Sequence, residues 1–167
     1  NIVTHVNTDD IVSHVPYTVS FPKYLTYAGT IKSDISIAMP LIIKVASIPK
    51  ERIQVYFIDN DDYFKRKGIF ADDDEKLYED NDERAIFFVK GVVETIKKLN
   101  WVPDVIHVHG WLASLLPLYM KEYYKNETIF SDTKIVTSIF SDGYQDVLSP
   151  NMLEKVAFDE FEPSKID

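Results

Sequence analysis

Between Asp80 and Phe140 the chain runs through one rhythm: a long helical period, a short β-branched strand, a second helical stretch and another strand. That order belongs to a parallel sheet with helices packed against it, and no other feature restricts the fold as strongly. The first helix is predicted over about 81 to 99. Asp80 and Glu83 have capping-box spacing, with Asp in place of Ser or Thr, ahead of apolar Ala85, Phe88, Val89, Val92, Ile96 and Leu99. Lys97 and Lys98 suit the negative end of the helix dipole, and Asn100 can adopt the left-handed closing conformation before Pro103. A strand follows over Val105–His109, Gly110 turns the chain, and a second helix is expected from Trp111 to Tyr124. Pro117 should kink that helix or leave its first turn ragged, because it removes a backbone donor. Lys134 to Phe140 supplies the next strand, completing a βαβ unit with the expected right-handed crossover.

The first half reads differently. Leu41 to Ile48 and Ile53 to Ile58 are β-branched runs joined by Pro49-Lys50-Glu51-Arg52, which predicts a β-hairpin. Asp59-Asn60-Asp61-Asp62 should stop the second strand. Val19 to Tyr27 and Ile31 to Ala38 read as short strands or loops, 71 to 83 as an acidic solvated loop, and Asn151 to Val156 as a short helix before an acidic tail. With 167 residues, 46% of them hydrophobic, the expected whole is one α/β, Rossmann-like domain over residues 1–167.

Charge and composition narrow the partners. A net charge of -9 repels phosphate backbones, so no nucleic acid partner is expected. The chain has no Cys, which rules out disulfides and thiolate metal sites and fits a reducing, cytoplasmic setting. No run approaches the ~20 apolar residues of a membrane span, and the first residues lack a basic-then-apolar signal, so no membrane partner is expected.

Ligands of parallel sheets sit at the carboxyl ends of strands, and His109 and Gly110 stand there. Strand alternation puts His107 and His109 on one side and Val108 on the other, with only His109 reaching a ligand. Two imidazoles on one face can bind zinc, yet no third ligand stands in a recognised spacing, so no metal is expected. His107 is expected to be a buried, hydrogen-bonded core residue. Gly110 is either a turn residue or a point where a ligand meets the backbone. There is no G-x-G-x-x-G, G-x-x-x-x-G-K, G-x-S-x-G or H-E-x-x-H pattern, so a complete mononucleotide, hydrolase or metalloprotease site is absent from the sequence. Asp61-Asp62 and Asp72-Asp73-Asp74 read as solvated surface rather than as acid and base pairs. Residue chemistry alone leaves the function open.

Three blocks taken together carry a resemblance. Val55 to Asn60 leading to Tyr63-Phe64-Lys65-Arg66-Lys67-Gly68-Ile69-Phe70 resembles a strand followed by Tyr-Phe-x-Arg-x-Gly-Ile-Tyr. Tyr78-Glu79-Asp80-Asn81-Asp82-Glu83-Arg84-Ala85 resembles Tyr-x-Asp-Asn-x-x-Arg-Phe, and Trp101 to Trp111 resembles Trp-x-Pro-Asp-Val-x-His-x-His-Asp-Trp. In this order and spacing they are similar to the glycogen and starch synthases, and most to the divergent glycogen synthases of Bacteroidetes-type bacteria. The resemblance covers about residues 41 to 146 and implies the N-terminal half of a GT-B glycosyltransferase, two Rossmann-like domains facing a cleft. It implies retaining transfer of glucose from ADP-glucose to the non-reducing end of an α-1,4-glucan, with no cofactor beyond the nucleotide sugar. The partners implied are that glucan, the nucleotide sugar and a C-terminal domain holding the diphosphate, without which this chain is expected to be inactive. His109 matches the cleft histidine that contacts the transferred sugar, and Asp80 the carboxylate on the acceptor side. Arg84 is expected to brace that loop or to be an exposed helix charge, and Trp111 to pack under the site or in the core. Gly110 and Tyr144 join the substrate-binding set through their blocks.

The departures are specific. Residues 1 to 40 lack the family's Lys-x-Gly-Gly-Leu loop. The family's Asp and a downstream His become Gly110 and Leu112, and a His-Asn pair becomes Phe140-Ser141. They point to an alternative, a catalytically degenerate glucan-binding or assembly module of the same fold.

Overall fold

The structure, a computed structural model, describes residues 19–20, 25–26, 40–48, 52–139 and 150–156. Two short strands, β1 (Val19–Ser20) and β2 (Leu25–Thr26), lie antiparallel to β3 (Pro40–Ile48), opposite Lys44 and Val45 and opposite Pro40 and Leu41 respectively. The other edge of β3 pairs with β4 (Ile53–Asp59) from Ile48 opposite Ile53 to Ile42 opposite Asp59, which is the expected hairpin. The reading of Ile31 to Ala38 falls outside the described residues, as does the acidic tail after Val156.

The polar cluster after β4 stops the strand and then winds into α1 (Asp61–Phe64), because the Asn60 side chain caps it by accepting the Tyr63 N–H at 3.0 Å. The acidic loop is solvated where it was expected to be: residues 72–76 are exposed, and Asp72 accepts the N–H groups of Asp74 and Lys76. Its downstream end departs from that reading, since Asn81 and Asp82 are buried.

Helix α2 (Asn81–Lys98) spans nearly the predicted residues. Asn100 closes it at φ 49, with its own N–H donated to the Lys97 carbonyl and that of Trp101 to Ile96, so the left-handed cap satisfies two carbonyls that the helix leaves open. The helix is buried on more than one face. Ile86, Val89, Val93 and Ile96 join Ile106, Val108 and Leu116 in a larger core, while Phe87 packs with Leu41, Ile43, Val45 and Tyr63 in a smaller one under the hairpin. Ile58 borders both. Gly91 makes the close approach possible, because a Cβ there would lie 2.9 Å from Ile58 Cγ2 and 3.2 Å from Leu41 Cδ1.

Strands β5 (Val105–His109) and β6 (Lys134–Ser138) pair in parallel, from Val105 opposite Lys134 to His109 opposite Ser138. The connection between them is not one regular helix. A 3₁₀ turn at Trp111–Ala113 leads into a single α-turn, α3 (Leu116–Leu118), and a π-turn at Tyr119–Tyr123. Pro117 sits in the α-turn, so the ragged start expected of it is what forms. The last described element, α4 (Met152–Val156), docks Met152 and Val156 into the larger core.

Candidate active site

Alternation along β5 separates its two faces. Ile106 and Val108 are buried, Val105 and His107 are exposed, and His109 is half-buried. The two imidazoles share a face, with ring centroids 3.9 Å apart, as the alternation requires. His107 is not the core residue expected: it lies on the open face, its Nε2 2.8 Å from Ser138 Oγ on the neighbouring strand. Among the described residues, α2 and the 111–124 segment cover the opposite face of β5, the one that buries Ile106 and Val108.

Gly110 turns the chain out of β5 at φ 70 and ψ 175, a conformation that only glycine adopts without strain. The departure from the family's Asp at this position therefore has a backbone account in this chain. No helix longer than one 3₁₀ turn starts directly after it, so the strand end offers peptide groups and imidazole rather than a strong helix dipole.

The amino end of α2 carries the second group of candidates. Asp80 occupies the cap position at φ -100 and ψ 18, but its carboxylate makes no capping hydrogen bond. The expected capping box does not form. Arg66 takes the carboxylate instead in a two-point pair, Nη1 to Oδ1 at 2.7 Å and Nη2 to Oδ2 at 2.5 Å. The hydrogen bonds to Asp80 hold the Arg66 guanidinium above its ordinary pKa.

Arg84 is buried, which excludes the exposed-charge reading. Its Nη1 donates to Asn81 Oδ1 at 2.6 Å, and its guanidinium lies over the rings of Tyr78, Phe64 and Trp111 at 5.3, 5.7 and 5.8 Å. Trp111, half-buried, is two residues past His109 and meets Phe70 edge-on. This stack joins the amino end of α2, which carries Asp80 and Arg84, to Trp111, two residues past His109. Tyr144, Phe140 and Ser141 lie outside the described residues.

Sequence reasoning missed Lys155. Its ammonium reaches from α4 to both Asp82 oxygens, at 3.1 and 2.9 Å, and to Glu83 Oε1 at 2.9 Å, while Tyr63 donates to Glu83 Oε2 at 3.2 Å. Burial lowers the Lys155 pKa and the hydrogen bonds it donates to Asp82 and Glu83 raise it; the net direction is up. Burial first, then Glu83, pushes the Tyr63 hydroxyl up. A pairing 73 residues apart has no local signature; the one hint was a lysine inside a short predicted helix.

Among the described residues no group of three or more His, Cys, Asp or Glu is arranged to hold a metal ion, and no helix is long and apolar enough to cross a membrane. The ends of β5 and β6 present two imidazoles, a serine hydroxyl and backbone, and the amino end of α2 a carboxylate held by Arg66, donors and acceptors suited to hydroxyl-rich ligands.

A parallel strand pair with α2 packed on one face, beside an antiparallel hairpin, makes this an α/β domain of the Rossmann-like kind. Residues 11–167 match the model of the starch synthase catalytic domain, and the chain belongs to that family. It is 41% identical over 117 residues to a protein named glycogen synthase from Chlorobium limicola, covering 70% of this chain and 24% of that protein. The glycogen synthases of Chlorobium luteolum and Chlorobaculum tepidum are 42% and 40% identical over 121 and 119 residues, again covering 24% of each. The chain thus spans about a quarter of the length of these relatives.

Proposed function

We propose that this chain is the N-terminal, acceptor-side part of a glycogen or starch synthase that transfers glucose from ADP-glucose to the non-reducing end of an α-1,4-glucan with retention. The observation that carries the reading is the convergence of the three motif blocks on one stack, Arg66 on Asp80, both arginines on Tyr78, and Arg84 on Trp111, two residues past His109. In such a transfer positive charge grows on the sugar and negative charge on the departing diphosphate, so prepositioned hydrogen bonds supply most of the rate. His109 holds the glucose at the strand end, Asp80 accepts from acceptor hydroxyls, and Arg84 acts as the brace between them. Gly110 and Tyr144 complete the substrate contacts, and a C-terminal domain supplies the cations for the diphosphate.

Calorimetric titration with maltooligosaccharide should register weak binding by the 167-residue chain, and incubation with ADP-glucose should give no transfer. Turnover by this chain alone overturns the need for a second domain. In the full-length protein His109→Ala should lower transfer by about 10² to 10³-fold with an unchanged melting curve. Unaltered transfer removes His109 from the site.

A second reading is favoured by Gly110, Leu112 and Phe140 standing where the resemblance expects Asp and His. It is a glucan-binding module that has lost the chemistry. Binding of glucan by the full-length protein without any binding of ADP-glucose decides for it.

A further inference from the structure

Asp80 precedes α2, but at φ -100 and ψ 18 its backbone is not the extended one from which a capping side chain reaches the first-turn N–H groups. In the structure it makes no such bond, and the Glu83 N–H is taken by Asp82 Oδ1 at 2.7 Å. The Arg66 fork holds both oxygens of the Asp80 carboxylate instead, through the bidentate geometry that only a guanidinium supplies. Arg66 is itself held: its Nη2 donates to the Asp62 carbonyl at 2.9 Å, and its guanidinium lies 4.7 Å from the centre of the Tyr78 ring. Arg84 stands 5.3 Å from the same ring, and its backbone N–H donates to the Asp80 carbonyl at 3.0 Å. Side chain and backbone of Asp80 are thus fixed from two sides by one arginine–tyrosine–arginine stack.

We propose that Arg66 is a positioning residue for glucosyl transfer, holding the Asp80 carboxylate in the orientation that faces the glucan acceptor. The proposal rests on the acceptor-side reading of Asp80. Without Arg66 the carboxylate swings freely and the acceptor loses its contact, while the fold loses only a quarter-exposed ion pair of little worth to stability. That separation of stability from function distinguishes positioning from a purely structural ion pair.

The test is steady-state kinetics on the full-length protein with Arg66→Gln, Asp80→Asn and the double variant. Arg66→Gln should raise the KM for maltooligosaccharide about tenfold while leaving the KM for ADP-glucose within about twofold. Because Arg66 acts only through Asp80, the double variant should be no worse than Asp80→Asn alone. Arg66→Lys keeps the charge and loses the fork; it should show the same pattern at about threefold, and it serves if the Gln variant does not fold. An unchanged acceptor KM in both Arg66 variants, with Asp80→Asn impaired, overturns the positioning role alone. So does a double variant that loses the product of the two single effects. An unchanged acceptor KM in Asp80→Asn overturns the acceptor-side reading and the positioning role with it.

Discussion

At the scale of single residues, the first turn of α2 concentrates charge where charge is costly. Asp82 and Lys155 expose only 4% and 7% of their side chains, so neither is solvated apart from the other. Such a pair contributes little beyond its own desolvation, but removing one partner strands the other. Lys155→Met is therefore expected to destabilise the protein by about 3 to 5 kcal/mol, measured by urea unfolding. Adding Asp82→Leu to that variant should restore much of the loss, since an apolar side chain then replaces the one stranded carboxylate. A double variant no more stable than the single one contradicts this account. The neighbouring Arg66–Asp80 pair, about a quarter exposed, contributes geometry more than stability.

Among the elements, α2 decides the arrangement, because it carries one core on each side and its amino end holds two of the proposed site residues. Its packing against the hairpin depends on the missing side chain at Gly91. Gly91→Val should cost about 1 to 3 kcal/mol despite replacing a poor helix former, because the added methyls meet Ile58 and Leu41 in a filled space. Thermal unfolding checks this; a variant as stable as the parent would mean that the hairpin yields freely. The segment after β5 shows the opposite behaviour. Pro117 and the π-turn at Tyr119–Tyr123 break the regular ladder there, yet Leu116, Tyr119, Met120 and Tyr124 remain buried, so packing rather than helical hydrogen bonding holds it.

Over the whole molecule, buried protons set the response to alkali. Burial pushes the hydroxyls of Tyr63 and Tyr119 up, and the Lys155 ammonium is raised from its ordinary 10.5 by its carboxylate partners against the opposing effect of burial. Each group binds its proton more tightly folded than unfolded, so its contribution is complete below the unfolded pKa and is lost as pH rises through the folded one. Lys90, lowered by burial, acts in the opposite sense, but among the described residues Tyr56, Lys65 and Lys97 are raised as well. The urea midpoint should stay level between about pH 7 and 9 and fall above about pH 10. A midpoint that rises there contradicts the assignment. What was legible without coordinates was whatever is written within a few residues: the span of α2 and its Asn100 cap, the hairpin, β5, the ragged turn at Pro117, and the shared face of His107 and His109. These follow from backbone periodicity and from caps that act over one helical turn. Partner choice was decided only by the tertiary structure. Asp80 turns to Arg66, 14 residues away, instead of to its own helix, Asp82 is buried against Lys155, 73 residues away, and His107 lies open because no described element covers that face of β5. A charge is satisfied by whichever opposite charge folding brings near, and that proximity is set by how distant elements pack, which no local pattern encodes.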